Sequence, residues 1–151
     1  PHVIDATAGL GEDAYLLACA GCHVTAIERC AVLAAMLEDA ARRFKIDIDV
    51  IHDNSMTALT KQQAEVVYLD PMFPAGRRTV ERKALRVLRD MVGDDDDAEQ
   101  LLTVALQTAT RRVVVKRPLR AALLGNTKPK VSHKGQAVRY DVYIPGEMAS
   151  R

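Results

Sequence analysis

Val66-Val67-Tyr68-Leu69-Asp70-Pro71-Met72-Phe73-Pro74 is an apolar run that ends in an acid, followed by a turn with two prolines around one aromatic ring. The β-branched pair Val66 and Val67 predicts a short buried strand over residues 65–69. Pro71 has no N–H to give to a sheet ladder, so the strand stops at Asp70. Asp70 thereby falls at a strand's carboxyl end, where open α/β sheets build their sites. An acid, a proline carbonyl and the ring of Phe73 within four residues can grip a planar group that carries an NH2. A strand-ending turn with Phe73 packed under a loop accounts for the same residues equally well.

On either side of this stretch the pattern alternates. Upstream, residues 3–5 read as a strand end, 6–11 as a small-residue loop, 13–20 as a short helix closed by Gly21, and 23–28 as a second strand. Residues 31–44 carry Leu33, Met36, Leu37, Ala40 and Phe44 at the spacing of one helix face, then 48–52 form a strand and 55–63 a short helix. Downstream, residues 79–92 place Val80, Ala84, Val87, Leu88, Met91 and Val92 on one helix face. The acids Asp94 to Asp97 suit an N-cap and first turn at the positive end of a helix dipole, ahead of Ala98, Leu101, Leu102, Ala105, Leu106 and Ala109. A strand over 112–116 is stopped by Pro118, and 130–133 with 139–144 form a closing hairpin. Strands separated by crossover helices imply an α/β fold, a mainly parallel sheet covered on both faces, with the hairpin as an antiparallel edge.

A chain of 151 residues with 48% hydrophobic and 27% charged side chains has room for one domain, residues 1–151. No apolar run approaches the ~20 residues of a membrane helix, and no signal peptide is visible. Cys19 and Cys22 have C-x2-C spacing, but no second pair follows, so no metal site is expected. With Cys30 they read as buried, reduced thiols of a cytoplasmic protein. The net charge of +1 hides a gradient: residues 1–74 hold 5 basic and 11 acidic groups, residues 111–151 hold 10 and 2. Such asymmetry suits a fold with one side facing a polyanion.

The first loop, Asp5-Ala6-Thr7-Ala8-Gly9-Leu10-Gly11-Glu12-Asp13-Ala14, decides the cofactor. Gly9 and Gly11 let the backbone turn sharply, and with Ala14 they fit the dinucleotide fingerprint G-x-G-x-x-A. The acids argue against a dinucleotide. Asp5 tips the first strand and Glu12-Asp13 opens the helix, where each would repel a pyrophosphate by roughly 1 kcal/mol or more. Glu28 ends the second strand, where an acid commonly takes ribose hydroxyls. A ligand with a ribose, a positive charge and no phosphate is S-adenosylmethionine.

The pieces Asp5 to Gly11, Glu28-Arg29, Ser55 with Thr57-Ala58-Leu59-Thr60, Val66 to Pro74, Val113 to Pro118 and Arg139-Tyr140-Asp141 carry a resemblance covering residues 3–144. In this order the chain resembles the small-subunit ribosomal RNA guanine-N2 methyltransferases of the RsmJ type. The resemblance implies a Rossmann-like class I methyltransferase fold, with a mainly parallel seven-stranded sheet and a C-terminal antiparallel hairpin. It implies S-adenosylmethionine as cofactor, S-adenosylhomocysteine as product, and small-subunit rRNA or an assembled subunit as partner. Cofactor contacts then fall on Glu12, Asp13, Glu28, Arg29, Asn54, Ser55 and Asp70, beside Asp5, Gly9 and Gly11. Glu12 stands where the family usually has a basic residue and Asn54 where it has a small hydroxyl residue. A further N-terminal segment is expected before the first strand.

On this reading Asp70 and the Pro71 carbonyl accept hydrogen bonds from the guanine NH2, and Phe73 stacks on the base. Arg78, Arg82, Lys83 and Arg86 of the 79–92 helix, with Lys116 and Arg117, are the expected phosphate contacts. Three alternatives share these residues. An aspartate-proline turn also serves adenine or cytosine amines in DNA, or a glutamine amide in protein, although Met72 replaces the second proline common there. A nicotinamide-dependent oxidoreductase would rest on Gly9, Gly11 and Ala14. A cofactor-free RNA-binding module would rest on the charge gradient alone.

Overall fold

The computed structural model describes residues 1–71 and 97–146. The expected helix over 79–92 and the acids Asp94 to Asp96 lie outside the described residues. The elements in chain order are β1 (His2–Asp5), α1 (Glu12–Cys19), β2 (His23–Glu28), α2 (Ala31–Phe44), β3 (Ile48–His52), α3 (Ser55–Leu59) and β4 (Ala64–Leu69). They continue with α4 (Ala98–Thr108), β5 (Ala109–Pro118), a 3-10 turn (Leu124–Asn126), β6 (Val131–Lys134) and β7 (Val138–Tyr143). Seven strands form one sheet in the order β3-β2-β1-β4-β5-β7-β6. β1 to β5 pair in parallel, while β7 runs antiparallel to both β5 and β6. The expected sheet and its hairpin edge are both there. Strand order reverses between β1 and β4, so their carboxyl ends flank the crevice in which such sheets bind ligands.

Helices cover both faces. On one, Ala58 and Leu59 of α3 and Leu101, Leu102 and Ala105 of α4 pack on Ile4, Ile27, Val67, Leu69, Val113, Val115 and Tyr143. On the other, Ala14 of α1 and Leu37 and Ala41 of α2 pack on Val24, Ala26 and Ile48. Leu33 and Leu37 of the expected α2 stripe are buried, but the stripe continues through Ala34 and Ala41, while Met36 and Phe44 are exposed. Both stripes are apolar, so the helix's own pattern leaves its rotation about the axis open, and packing on the sheet fixes it. The cysteines also depart from expectation. All three are free thiols, but Cys19 is exposed and Cys22 and Cys30 are half-buried.

β5 is longer than residues 112–116, and Pro118 belongs to it. β5 pairs with β4 only as far as Leu69 opposite Val115, whereas its pairing with β7 runs on to Pro118 opposite Val138. Past Val115 no strand among the described residues pairs with that side of β5, and a missing N–H is tolerated there. The turn after β5 is tied down by Arg139, whose Nη1 donates to the carbonyls of Leu119 (2.9 Å) and Ala121 (2.8 Å). Its Nε donates to the fully buried Asp141 carboxylate at 3.0 Å. Arg139 and Asp141 are thus structural, a buried charge pair with its hydrogen bonds satisfied. Asp97 occupies the N-cap of α4 without a side-chain capping bond.

Two loop features carry testable costs. Gly11 caps α1 at φ +77°, and a Cβ there would stand 2.4 Å from Leu37 Cδ1 of α2. Gly11→Ala should destabilise the fold by about 1–3 kcal/mol, the cost of holding a non-glycine residue in that region; denaturant unfolding with an unmoved midpoint would contradict it. Asp5, 1% exposed at the end of β1, is pushed up to about 7 by burial, with the Asp13 and Asp70 charges adding and the Thr7 N–H opposing. Its contribution to stability is therefore complete below its ordinary value of 3.8 and fades as pH rises through about 7. Asn keeps the acceptor for the Thr7 N–H without ionising. Asp5→Asn should melt above the wild type beyond pH 7, with the gap closing toward pH 3.8. Parallel melting curves across that range would exclude the effect.

Candidate active site

The carboxyl ends of β1 and β4 are stitched together by short bonds. Ala6 N–H donates to the Tyr68 carbonyl at 3.0 Å, continuing the parallel ladder past the strand end. Thr7 N–H then donates to Asp5 Oδ1 at 3.1 Å, and the Thr7 hydroxyl accepts the Asp70 N–H at 2.6 Å. These bonds fix the backbone of Asp70 beside the tip of β1, as its place before Pro71 predicts. Pro71 itself is buried. Phe73, Arg78, Arg82, Lys83 and Arg86 lie outside the described residues.

Strand alternation then brings together residues far apart in sequence. Tyr68 points to the opposite face from Val67 and Leu69 and reaches α1, where its hydroxyl donates to Asp13 Oδ2 at 2.8 Å. Lys116, from the adjacent β5, places Nζ 2.7 Å from the same Asp13 oxygen and 3.0 Å from Asp70 Oδ2. Burial pushes the Asp70 carboxyl up and Asp13 adds to this, against the pull of Lys116. Burial works against the Lys116 ammonium too, but its bonds to Asp13 and Asp70 outweigh it and hold the ammonium charged. Tyr68 is pushed up by burial and by the Asp13 and Asp70 charges, so it acts as a phenol donor. The two carboxylates repel each other, and the ammonium bonded to both opposes that repulsion.

The glycine loop is held from the next strand. Glu28, 5% exposed at the end of β2, accepts the Gly9 N–H on Oε2 at 2.8 Å and the Cys30 N–H on Oε1 at 2.7 Å. Each oxygen keeps a lone pair for a further donor. Of the other expected cofactor contacts, Glu12 and Arg29 are exposed, and the Arg29 carbonyl accepts from His52 Nε2 at 3.2 Å. Asn54 caps α3 by accepting the Met56 N–H at 2.9 Å, and the Ser55 hydroxyl donates to the Ala6 carbonyl at 2.5 Å. Asn54 and Ser55 therefore brace the same loop from below β3. Among the described residues no three His, Cys, Asp or Glu side chains are placed to hold a metal ion, and no helix is long and apolar enough to cross a membrane.

Two expected phosphate contacts are otherwise engaged. Lys116 faces acids, and Arg117 is 5% exposed with Nη2 donating to the Ala122 carbonyl. Arg117 faces the β7 side, where burial and the charge of Arg139 pull its pKa down. Neither is a surface cation. Sequence reasoning missed Thr7, Tyr68 and the acid-facing role of Lys116; the signal was a charged residue ending the apolar run Val113-Val114-Val115, beside a strand that ends in an acid.

The model of the family described as "Putative SAM-dependent methyltransferase" matches residues 1–145. A ribosomal RNA small subunit methyltransferase J of Shewanella loihica is 44% identical over 163 residues, covering 99% of this chain and 63% of that protein. The protein of that name from Pseudomonas aeruginosa is 45% identical over 156 residues, covering 95% and 60%. The crystal structure of a SAM-dependent methyltransferase from Neisseria gonorrhoeae superposes with a TM-score of 0.78 at 35% identity, covering 97% of this chain and 62% of that one. The chain thus spans less than two thirds of the length of the curated relatives it matches. These likenesses bear out the resemblance seen in the motifs and displace the nicotinamide alternative. With its acids at the strand tips and its match along residues 1–145, the chain belongs to the family of SAM-dependent methyltransferases.

Proposed function

We propose that this domain transfers a methyl group from S-adenosylmethionine to the exocyclic N2 amine of a guanosine in small-subunit ribosomal RNA, in the cytoplasm. One observation carries the reading: Asp70, at the tip of β4 and directly before Pro71, has its backbone N–H held by Thr7 and presents a half-buried carboxylate bonded to Lys116. The likeness to proteins named ribosomal RNA small subunit methyltransferase J supports the choice of substrate.

The residues present fit the cofactor. Asp5, Asp13 and Asp70 converge where a positive charge would be welcome, and Glu28 has lone pairs left for ribose hydroxyls. Gly11, at positive φ, lets the loop turn close against Leu37 of α2 ahead of the acids of α1. When bound, S-adenosylmethionine supplies a methyl group on a positively charged sulfur, which is electrophilic without help from the protein. The protein's task is placement. A guanine amine is a weak nucleophile because its lone pair is delocalised into the ring. Hydrogen bonds from that NH2 to Asp70 and to the Pro71 carbonyl favour a more pyramidal, reactive nitrogen. Once methylated, the nitrogen loses a proton, and Asp70, raised by burial, can accept it. Phe73 is assigned to stack on the base. Methyl transfer to small-subunit rRNA, read by mass spectrometry of its nucleosides, tests the whole proposal; a methyl group on any atom but guanine N2 would refute it.

Glu28→Gln removes one carboxylate oxygen and should weaken S-adenosylhomocysteine binding by about 1.5–3 kcal/mol in calorimetry. Unchanged affinity would remove Glu28 from the ribose site. Asp70→Asn keeps the shape but turns an NH2 toward the target amine, so turnover should fall by roughly 100-fold or more. Phe73→Ala should cost about 1–3 kcal/mol of base stacking, seen as poorer use of RNA with an unmoved thermal midpoint. A large fall in that midpoint with normal residual activity would make Phe73 a packing residue instead.

A further inference from the structure

Lys116 was expected at a phosphate, yet its Nζ lies 2.7 Å from Asp13 Oδ2 and 3.0 Å from Asp70 Oδ2, and its side chain is only 24% exposed. The backbone of Asp70 is anchored by Thr7, but its carboxylate is held by Lys116. Among the described residues, every element packed around this pair contributes a titratable group. β1 supplies the fully buried Asp5; α1 supplies Asp13 and, more exposed, Glu12; β4 supplies Tyr68, which donates to Asp13. β7 supplies Tyr140, paired with Lys116 in the sheet register. Of these groups the Asp13 carboxylate works with burial to favour protonation of Asp70, the phenols carry no charge, and Lys116 opposes it.

We propose that Lys116 is a positioning residue for methyl transfer: its ammonium, bridging Asp13 and Asp70, keeps the Asp70 carboxylate ionised and fixes its direction. The inference rests on the reading that Asp70 receives the target amine. A protonated Asp70 would lose an acceptor toward an NH2 group and could not take up the departing proton. The same ammonium joins α1, which carries the cofactor loop, to β4, which carries the base-side acid. Cofactor side and base side therefore share one cation.

The test compares Lys116→Met with Lys116→Arg in single-turnover methyl transfer at saturating RNA and S-adenosylmethionine, between about pH 5 and 9. The Met variant should lose at least about tenfold near pH 6 and recover most of it near pH 9. Its midpoint should rise by about one unit or more, as when an opposite charge at hydrogen-bond distance is removed. Arg should keep the wild-type midpoint. An equal loss at every pH, or a loss seen only when the RNA is brought below saturation with the midpoint unmoved, would overturn the proposal in favour of a structural or phosphate-binding lysine. Carboxyl-carbon NMR titration of Asp70 without RNA separates this from the assigned substrate. There the midpoint should rise in Lys116→Met and fall in Asp13→Asn, whether or not guanosine is methylated. If Asp70 titrates alike in all three proteins the proposal fails, even with a guanine-N2 product in hand.

Discussion

A single ammonium, Lys116 between Asp13 and Asp70, ties α1, β4 and β5 together at the mouth of the crevice. Parallel strands bring their carboxyl ends to one edge, and this chain puts an acid at three of them: Asp5, Glu28 and Asp70. With Asp13 on α1, that concentration of negative charge suits a cationic ligand but opposes its own assembly. It is tolerated by three separate means. Asp5 is buried and drawn toward its neutral form, Glu28 accepts a backbone N–H on each carboxylate oxygen, and Asp13 and Asp70 share Lys116.

The glycine loop depends on the same arrangement. Gly9 and Gly11 both take positive φ, and the loop they shape would be loose without the Glu28 carboxylate bonded to Gly9 N–H and the Ser55 hydroxyl bonded to Ala6 O. Residues that stand where a cofactor contact is expected therefore also hold the loop in shape. This double use explains why Asn54, which departs from the family's small hydroxyl residue, keeps a clear purpose. Its side chain caps α3, which carries Ser55 into reach of Ala6.

Much of the fold was legible because its signals are local. β2, α2 and β3 have the boundaries that periodicity implies, and Asp70 stands at the end of a strand because Pro71 cannot continue one. The misplaced features are those set by neighbours. β5 extends to Pro118 because β7 pairs with it beyond the end of β4, and no reading of β5 alone contains that fact. The buried stripe of α2 keeps Leu33 and Leu37 but runs through Ala34 and Ala41 rather than Met36 and Phe44, because packing on the sheet, not the helix's own pattern, sets its rotation about the axis.

The site divides in the same way. The sequence alone determined that acids end the strands, that two glycines shape the first loop, and that the class is α/β. These follow from side-chain period, from the missing N–H of proline and from the freedom of glycine. Only the tertiary structure decided what the cations do. A lysine and an arginine adjacent in sequence point to opposite faces of β5, so Lys116 meets two acids while Arg117 is buried against the turn that follows the strand. A run of basic residues reads alike whether its charges meet water, phosphate or carboxylate. The difference lies in strand order, which sets β5 beside β4 and brings Asp13, 103 residues away, to Lys116.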